Sequence, residues 1–473
     1  MQNKLTKIVA TVSDLNCSSE FIQELYDNGM NVVRLNTAHQ SFEDTLKVVR
    51  NIRKCSGRIG ILVDTKGPEV RTSMTSEEIF LQRGDKIKVE TKFSENSTKE
   101  KINVSYPKFV KEVPKGASIL IDDGELELKV ISKTDTHLSC KVMNNGAFKS
   151  KKSVNVPGIS LNLASLTKKD KDYIEFSIKH NIDFIAHSFV RNKEDVIAIQ
   201  KILDKHGSKA KIIAKIENKE GVDNIDEILD YAYGVMVARG DLGIEIPAHV
   251  VPSIQKMLIR KCIDRQKPVI TATQMLHTMI KNPRPTRAEV SDVANAIYDG
   301  TDAVMLSGET AYGQYPTQAV KTMAMIAKEV ESTKTFKDRR LHAETKLAHG
   351  EVRSSVRQFL SKAAVDAVNT LDADAIIVHT MSGDSARVIS AYRTYKPIFA
   401  KTHDRSIVRH LSLSYGVYAY YMKKTKHMEE LIQNALHEIV KDERLDPEHI
   451  IVLLGASHNS ADFIEVCPAK DYM

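Results

Sequence analysis

At 473 residues, with 42% hydrophobic and 27% charged residues, the chain has the composition of an ordinary soluble globular protein and is too long for a single core. A net charge of +7 over that length is mild and contains no block of one sign, which argues against nucleic-acid binding and suits small anionic substrates. Cys17, Cys55, Cys140, Cys262 and Cys467 are scattered, with no CxxC pair and no Cys/His group, and neither a signal peptide nor a membrane-spanning run is present. The expectation is therefore a soluble, cytoplasmic protein with reduced thiols, no zinc site and no membrane partner.

In chain order, residues 7–12 read as a short strand, and Ser18 or Ser19 caps a helix that ends at Gly29. A strand at 31–36 follows, then a helix with a capping box of Ser41 and Asp44, then a strand at 59–65. This rhythm breaks at Arg71. Residues 72–154 carry turn signals and alternating segments such as SILIDDGELELKV, with Asp123-Gly124 as a tight hairpin turn, and read as an inserted all-β module. Thr167 and Asp170 cap the next helix, and strands are predicted at 183–189, 211–217, 234–241, 268–274 and 302–307, each separated by a helical stretch. Eight strand-helix units make a (β/α)8 barrel from residues 1–71 and 155–330, whose active site belongs at the C-terminal ends of the strands. Beyond Pro316 long helix is expected, with solvated charges over 329–357. A last α/β domain, 331–473, has strands at 375–379, 398–402, 416–421 and 450–454.

The predicted strand ends carry the polar residues: Arg34 and Asn36, then Asp64, Thr65 and Lys66, then Lys215 and Glu217, then Asp241, Thr273, and 307–309. Alternation puts Ile213, Lys215 and Glu217 on one face of an Ile-rich strand, followed by a helix marked by Val222, Ile225, Ile228, Leu229 and Ala232. Neighbouring parallel strands would then bring Glu217 and Asp241 to one edge roughly 5 Å apart, an arrangement suited to a hard divalent cation with Lys215 beside it. The competing reading is ordinary strand-end charge, paired with Lys215 and Arg239. Arg34 and Arg71 can fork onto phosphate or carboxylate, and Lys215 can stabilise an oxyanion, so phosphoryl transfer and enolate chemistry both fit. Thr273 could equally satisfy backbone, and His39, His187 and His277 read as structural.

The segments MNVVRLN, DTKGPEVRT, AKIENKEG, MVARGDLGIEIP, TATQMLHTMIKNPRPTRAEVSDVANA and DGTDAVMLSGETA closely resemble pyruvate kinase, in order and over the full length. The resemblance implies a TIM barrel with a mobile β lid and a C-terminal α/β regulatory domain. It implies phosphoryl transfer from phosphoenolpyruvate to ADP, and usually a homotetramer. On matching positions it gives Glu217 and Asp241 as ligands of Mg2+ or Mn2+, and Lys215 as stabiliser of the phosphoryl group and enolate. Thr273 would help deliver the proton, and the backbone around Gly240 and Asp241 would hold the substrate carboxylate. Arg34, Arg71 and Lys152 would contact phosphate and nucleotide, with Asn36 beside them. The K+ site would be Asn36, Asp64 and Thr65 with residue 38, where Ala38 replaces the usual Ser; Glu69, which accompanies K+ dependence, is kept, so weaker K+ activation is expected. Thr380, Ser382, Gly383 and Ser385 resemble a loop for a phosphorylated effector, although Asp384 adds a negative charge there and GASHNSADF lacks the family's glycine-rich pattern. Two alternatives remain: a metal-dependent lyase or aldolase, which would have no nucleotide for a lid to cover, and a non-catalytic sensor, which should have lost part of the Lys215, Glu217, Asp241 and Thr273 set.

Overall fold

A computed structural model describes residues 4–38, 40–337, 352–423, 428–442, 444–456 and 462–473. Eight parallel strands, Lys7–Thr11, Val32–Asn36, Gly60–Asp64, Phe184–His187, Lys211–Ile216, Gly234–Ala238, Val269–Ala272 and Ala303–Leu306, close a barrel in chain order. They are buried on both faces, which is why each reads as an apolar run and not as an alternating one. Val9, Val32, Leu62, Ile213, Met236 and Ile270 fill the interior, while the intervening residues pack outward onto the helices.

Local signals set many boundaries. Ser18 caps the helix Ser19–Asp27 through the Phe21 N–H, and Gly29 beyond it has φ +115°, a conformation that a Cβ would strain. Thr167 and Asp170 form the expected reciprocal capping box. At Ser41 only half of the box forms: the serine holds the Asp44 N–H, but its own hydroxyl takes the Asp44 carboxylate.

Between the third and fourth barrel strands lies the β module. Six strands in the order Val154–Asn155, Ser118–Ile121, Leu126–Lys133, His137–Val142, Lys86–Glu90 and Lys101–Asn103 are joined by the pair Gly146–Phe148 and Ile79–Leu81, around a separate apolar core. Its expected two-residue hairpin is a four-residue turn over 122–125. Ile121 pairs with Leu126, and Asp122, Asp123 and Gly124 all have positive φ.

Several expected strands run too long. The sixth stops at Ala238, and Arg239–Glu245 is helix, so Asp241 sits in a first helical turn and not on a strand. The helix expected after Glu217 splits at Asn224, whose side chain donates to the Arg191 carbonyl. In the C-terminal domain the sheet order is Val417–Tyr421, Ile398–Thr402, Ala375–His379, Ile450–Ala456 and Asp462–Pro468. The last strand is antiparallel, which a strand-helix period does not predict. Long helices Pro316–Ser332 and Val352–Leu371 lead into this domain; much of the charged stretch over 329–357, His39 and part of GASHNSADF lie outside the described residues.

Candidate active site

Alternation along the strands builds the site. Ile213 faces the barrel interior, so Lys215 shares that side at the rim, with Glu217 just beyond the strand end; Val32 and Leu62 place Arg34 and Asp64 by the same rule. The Lys215 ammonium lies 2.9 Å from Glu217 Oε1, 3.1 Å from Asp64 Oδ1 and 2.8 Å from Ser188 Oγ. Arg34 holds the other Asp64 oxygen at 2.6 Å and donates to Thr11 Oγ1 at 3.1 Å. Glu217 Oε2 accepts the Phe189 N–H at 2.6 Å, from a residue at φ +57°.

Burial opposes charge on Lys215, yet Asp64 and Glu217 outweigh it and hold the ammonium above its ordinary range. Burial likewise opposes ionisation of Asp64, and Lys215 and Arg34 reverse this, leaving Asp64 an ionised partner. Glu217 and Asp241 behave differently. Burial raises both, Lys215 lowers both, and Asp241 adds further to the rise at Glu217. Although Lys215 touches Glu217, one ammonium shared among several carboxylates is too little. Three carboxylates, Asp64, Glu217 and Asp241, thus face two cations, Lys215 and Arg34, and the set lacks positive charge. Asp123, in the β module's 122–125 turn, raises Asp241 further.

A clamp holds the Asp241 helix. Arg239 donates to the Ala272 and Thr273 carbonyls at 3.2 and 2.7 Å and forks onto Asp292 at 2.6 and 2.8 Å, so the alternative pairing of Arg239 with the rim carboxylates does not form. Thr273 and Gln274 both have positive φ, a strained pair for side-chain-bearing residues. The Gly240 N–H donates to Thr273 Oγ1 at 2.8 Å, and that hydroxyl donates to the Ala272 carbonyl. Thr273 and Gly240 are thereby brought together.

The remaining expected residues lie around this centre. Asn36 Oδ1 accepts the Ala38 N–H, Thr37 binds the Asp64 carbonyl, and Thr65 Oγ1 accepts the Ser188 N–H. Lys169 Nζ donates to the Ala38 carbonyl at 3.2 Å. Where the barrel runs into the β module, Arg71 forks onto Glu69 and reaches the Lys151 carbonyl, and in the module Lys152 pairs with Asp122 at 2.7 Å. In the C-terminal domain, Thr380 Oγ1 accepts the Gly383 N–H, and Asp384 takes up Ser382 and Arg387. The helix there begins at Asp384.

Ser188 was missed. It touches Lys215, Asp64 and the Thr65 carbonyl, and the only sequence signal was a polar residue at the end of an apolar strand. His187 is fully buried, and burial lowers its pKa to about 4, so it stays neutral as a structural residue. Among the described residues no group of three His, Cys, Asp or Glu gathers to hold a metal, so Glu217 and Asp241 could supply two carboxylates only. Also among those residues, no helix is long and apolar enough to cross a membrane.

Two family models match the chain: "Pyruvate kinase, barrel domain" over residues 3–320 and "Pyruvate kinase, alpha/beta domain" over 358–467. A pyruvate kinase of Borreliella burgdorferi is 48% identical over 481 residues, covering 100% of this chain and 98% of the relative. One from Bacillus licheniformis is 47% identical, covering 92% and 74%. The crystal structure of a pyruvate kinase from Cryptosporidium parvum superposes with a TM-score of 0.92 at 36% identity, covering 98% of this chain and 96% of that one.

Proposed function

The chain belongs to the pyruvate kinase family of phosphotransferases, and from that premise we propose how its residues convert phosphoenolpyruvate and ADP to pyruvate and ATP. The reading rests above all on one observation: Glu217 and Asp241 are both raised by burial at a rim that is short of positive charge. Two hard oxygen donors with uncompensated charge fit Mg2+ or Mn2+, with substrate and water completing the coordination. Bound there, the ion would supply a Lewis acid for the anionic substrate.

The chain's own groups do the rest. Lys215 stays protonated against the developing charge, so it can stabilise the transferring phosphoryl group and the enolate left behind without a proton changing hands. Arg34, anchored on Asp64, offers a forked donor to the phosphate. Gly240 N–H is assigned to the substrate carboxylate, which requires Thr273 Oγ1 to give up its present bond to that group. The freed hydroxyl then serves protonation of the enolate through water. Arg71 at the junction with the lid and Lys152 on it, with Asn36, are assigned to the nucleotide; Glu69 and Asp122, the present partners of Arg71 and Lys152, must yield for that contact.

For K+, Asn36, Asp64 and Thr65 offer oxygen donors, while Ala38 has no hydroxyl to add. K+ therefore activates but binds weakly. We assign residues 1–71 with 155–330, 72–154 and 331–473 to barrel, lid and regulatory domains of a cytoplasmic homotetramer. A phosphorylated effector is assigned to Thr380, Ser382, Gly383 and Ser385, where it must displace Asp384.

The test is a coupled assay of pyruvate formation from phosphoenolpyruvate and ADP with Mg2+, with and without K+. Turnover that needs Mg2+ and rises with K+ is expected. No turnover would overturn the reaction, and equal rates without Na+ or K+ would overturn the K+ assignment alone.

A further inference from the structure

Two histidines that the phosphoryl-transfer site does not use face each other in the C-terminal domain. His379 ends the strand Ala375–His379, and His403 follows the adjacent parallel strand Ile398–Thr402, with His379 in register with Lys401. Lys401 and His403 lie two residues apart and so point to one side, which brings the rings together. Their Nε2 atoms are 3.3 Å apart, with ring centroids 5.1 Å apart and planes at 59°. His403 Nδ1 lies 3.0 Å from the Met422 carbonyl oxygen. A carbonyl only accepts, so Nδ1 carries the proton and Nε2 turns its lone pair toward His379. Both residues are half-buried. Burial first, and His403 second, lower the His379 pKa to about 4, so His379 is uncharged at neutral pH.

We propose that His379 and His403 form a two-imidazole binding site for a divalent transition metal of the zinc, nickel or copper class. Two nitrogens bound at about 2.05 Å to a tetrahedral ion stand about 3.3 Å apart, and that is the separation of the two Nε2 atoms here. The N–H of His403 on a backbone carbonyl is the outer contact that fixes the tautomer of a metal-binding histidine. Without metal, the proton between the two Nε2 atoms belongs to His379. Binding moves that proton to His379 Nδ1, so both lone pairs face the ion and no proton is released. Water fills the other positions, because no third His, Cys, Asp or Glu joins the pair among the described residues. Imidazole favours these ions over Mg2+, which the Glu217 and Asp241 carboxylates favour, so the two sites sort metals by ligand type. His379 runs directly into Thr380, whose N–H bonds the Lys401 carbonyl at 2.9 Å, so a bound ion would fasten the ends of both strands.

The test is calorimetric titration of the metal-stripped full chain with Zn2+ in saturating Mg2+, alongside electron paramagnetic resonance of the Cu2+ form. One Zn2+ per chain should bind, at least roughly tenfold more weakly in His379→Gln and in His403→Gln, which corresponds to about 1.4 kcal/mol. The Cu2+ spectrum should show coupling to two nitrogens in the wild type and to one in either variant. Both variants should keep Mg2+-dependent pyruvate formation, which reports that they fold. Equal Zn2+ affinity in all three proteins, or a wild-type Cu2+ spectrum without two-nitrogen coupling, would overturn the site.

Discussion

The two ends of the barrel are built from the same material and used in opposite ways. At the N-terminal end, Asp302 forks onto Arg393 at 2.7 and 3.2 Å and also accepts the Val269 and Tyr415 N–H groups. Asp183 there holds Arg53, Arg409 and the Ile61 N–H. Each buried carboxylate is matched by a guanidinium and by backbone donors, and Arg393 and Arg409 tie the C-terminal domain to the barrel. At the C-terminal end, Asp64, Glu217 and Asp241 share Lys215 and Arg34, and burial raises two of the three by more than the shared cations offset. A buried ion pair that is complete is architecture. One that is short of a charge is a binding site, and its cost falls when the missing cation arrives.

The largest expected effect tests the complete end. Asp302→Ala would leave Arg393 buried and unpaired, at a cost of about 3–5 kcal/mol. Urea unfolding should show that loss, while calorimetry shows unchanged Mg2+ affinity. A loss below about 1 kcal/mol would mean that the pair is only decorative. Next comes the incomplete end. Lys215→Met should lower kcat by about 10²–10³-fold, or ~2.7–4 kcal/mol, while Mg2+ and phosphoenolpyruvate still bind, since the charge acts mainly on the transition state. Near-normal turnover would remove Lys215 from its assigned role. A smaller effect sharpens the same point: Ser188→Ala removes one neutral partner of Lys215, and about 1 kcal/mol, roughly fivefold in kcat with little change in KM, is expected from steady-state kinetics. A change confined to KM would make Ser188 a binding residue instead.

Much of this contrast was legible in the sequence. Eight apolar runs separated by helical stretches give the barrel, and alternation alone puts Lys215 and Glu217 on the side of Ile213. Periodicity does not show where a strand yields to a helix, so Asp241 was placed on a strand when Arg239 already begins the helix that carries it. Ser188 was illegible because its role depends on the third and fourth barrel strands meeting across the whole inserted lid. The bond from Gly240 to Thr273 depends on a positive φ that a Thr-Gln pair does not advertise. The facing of His379 and His403 follows from strand register, which residue types by themselves leave open.

The missing charge is tested most directly by melting the wild type and Glu217→Gln with and without Mg2+ across pH. The folded pKa of Glu217 is raised from 4.5 to about 7, so its contribution is fully present below the unfolded value and is lost as pH rises through about 7. In a chelator at pH 8, Glu217→Gln should therefore melt at or above the wild-type temperature. Mg2+ at a hundred times its Kd should stabilise the wild type by about 2.7 kcal/mol, less as pH falls and the proton competes, and should leave the variant unmoved. A variant that melts well below the wild type in chelator, or that Mg2+ still stabilises equally, would contradict the account.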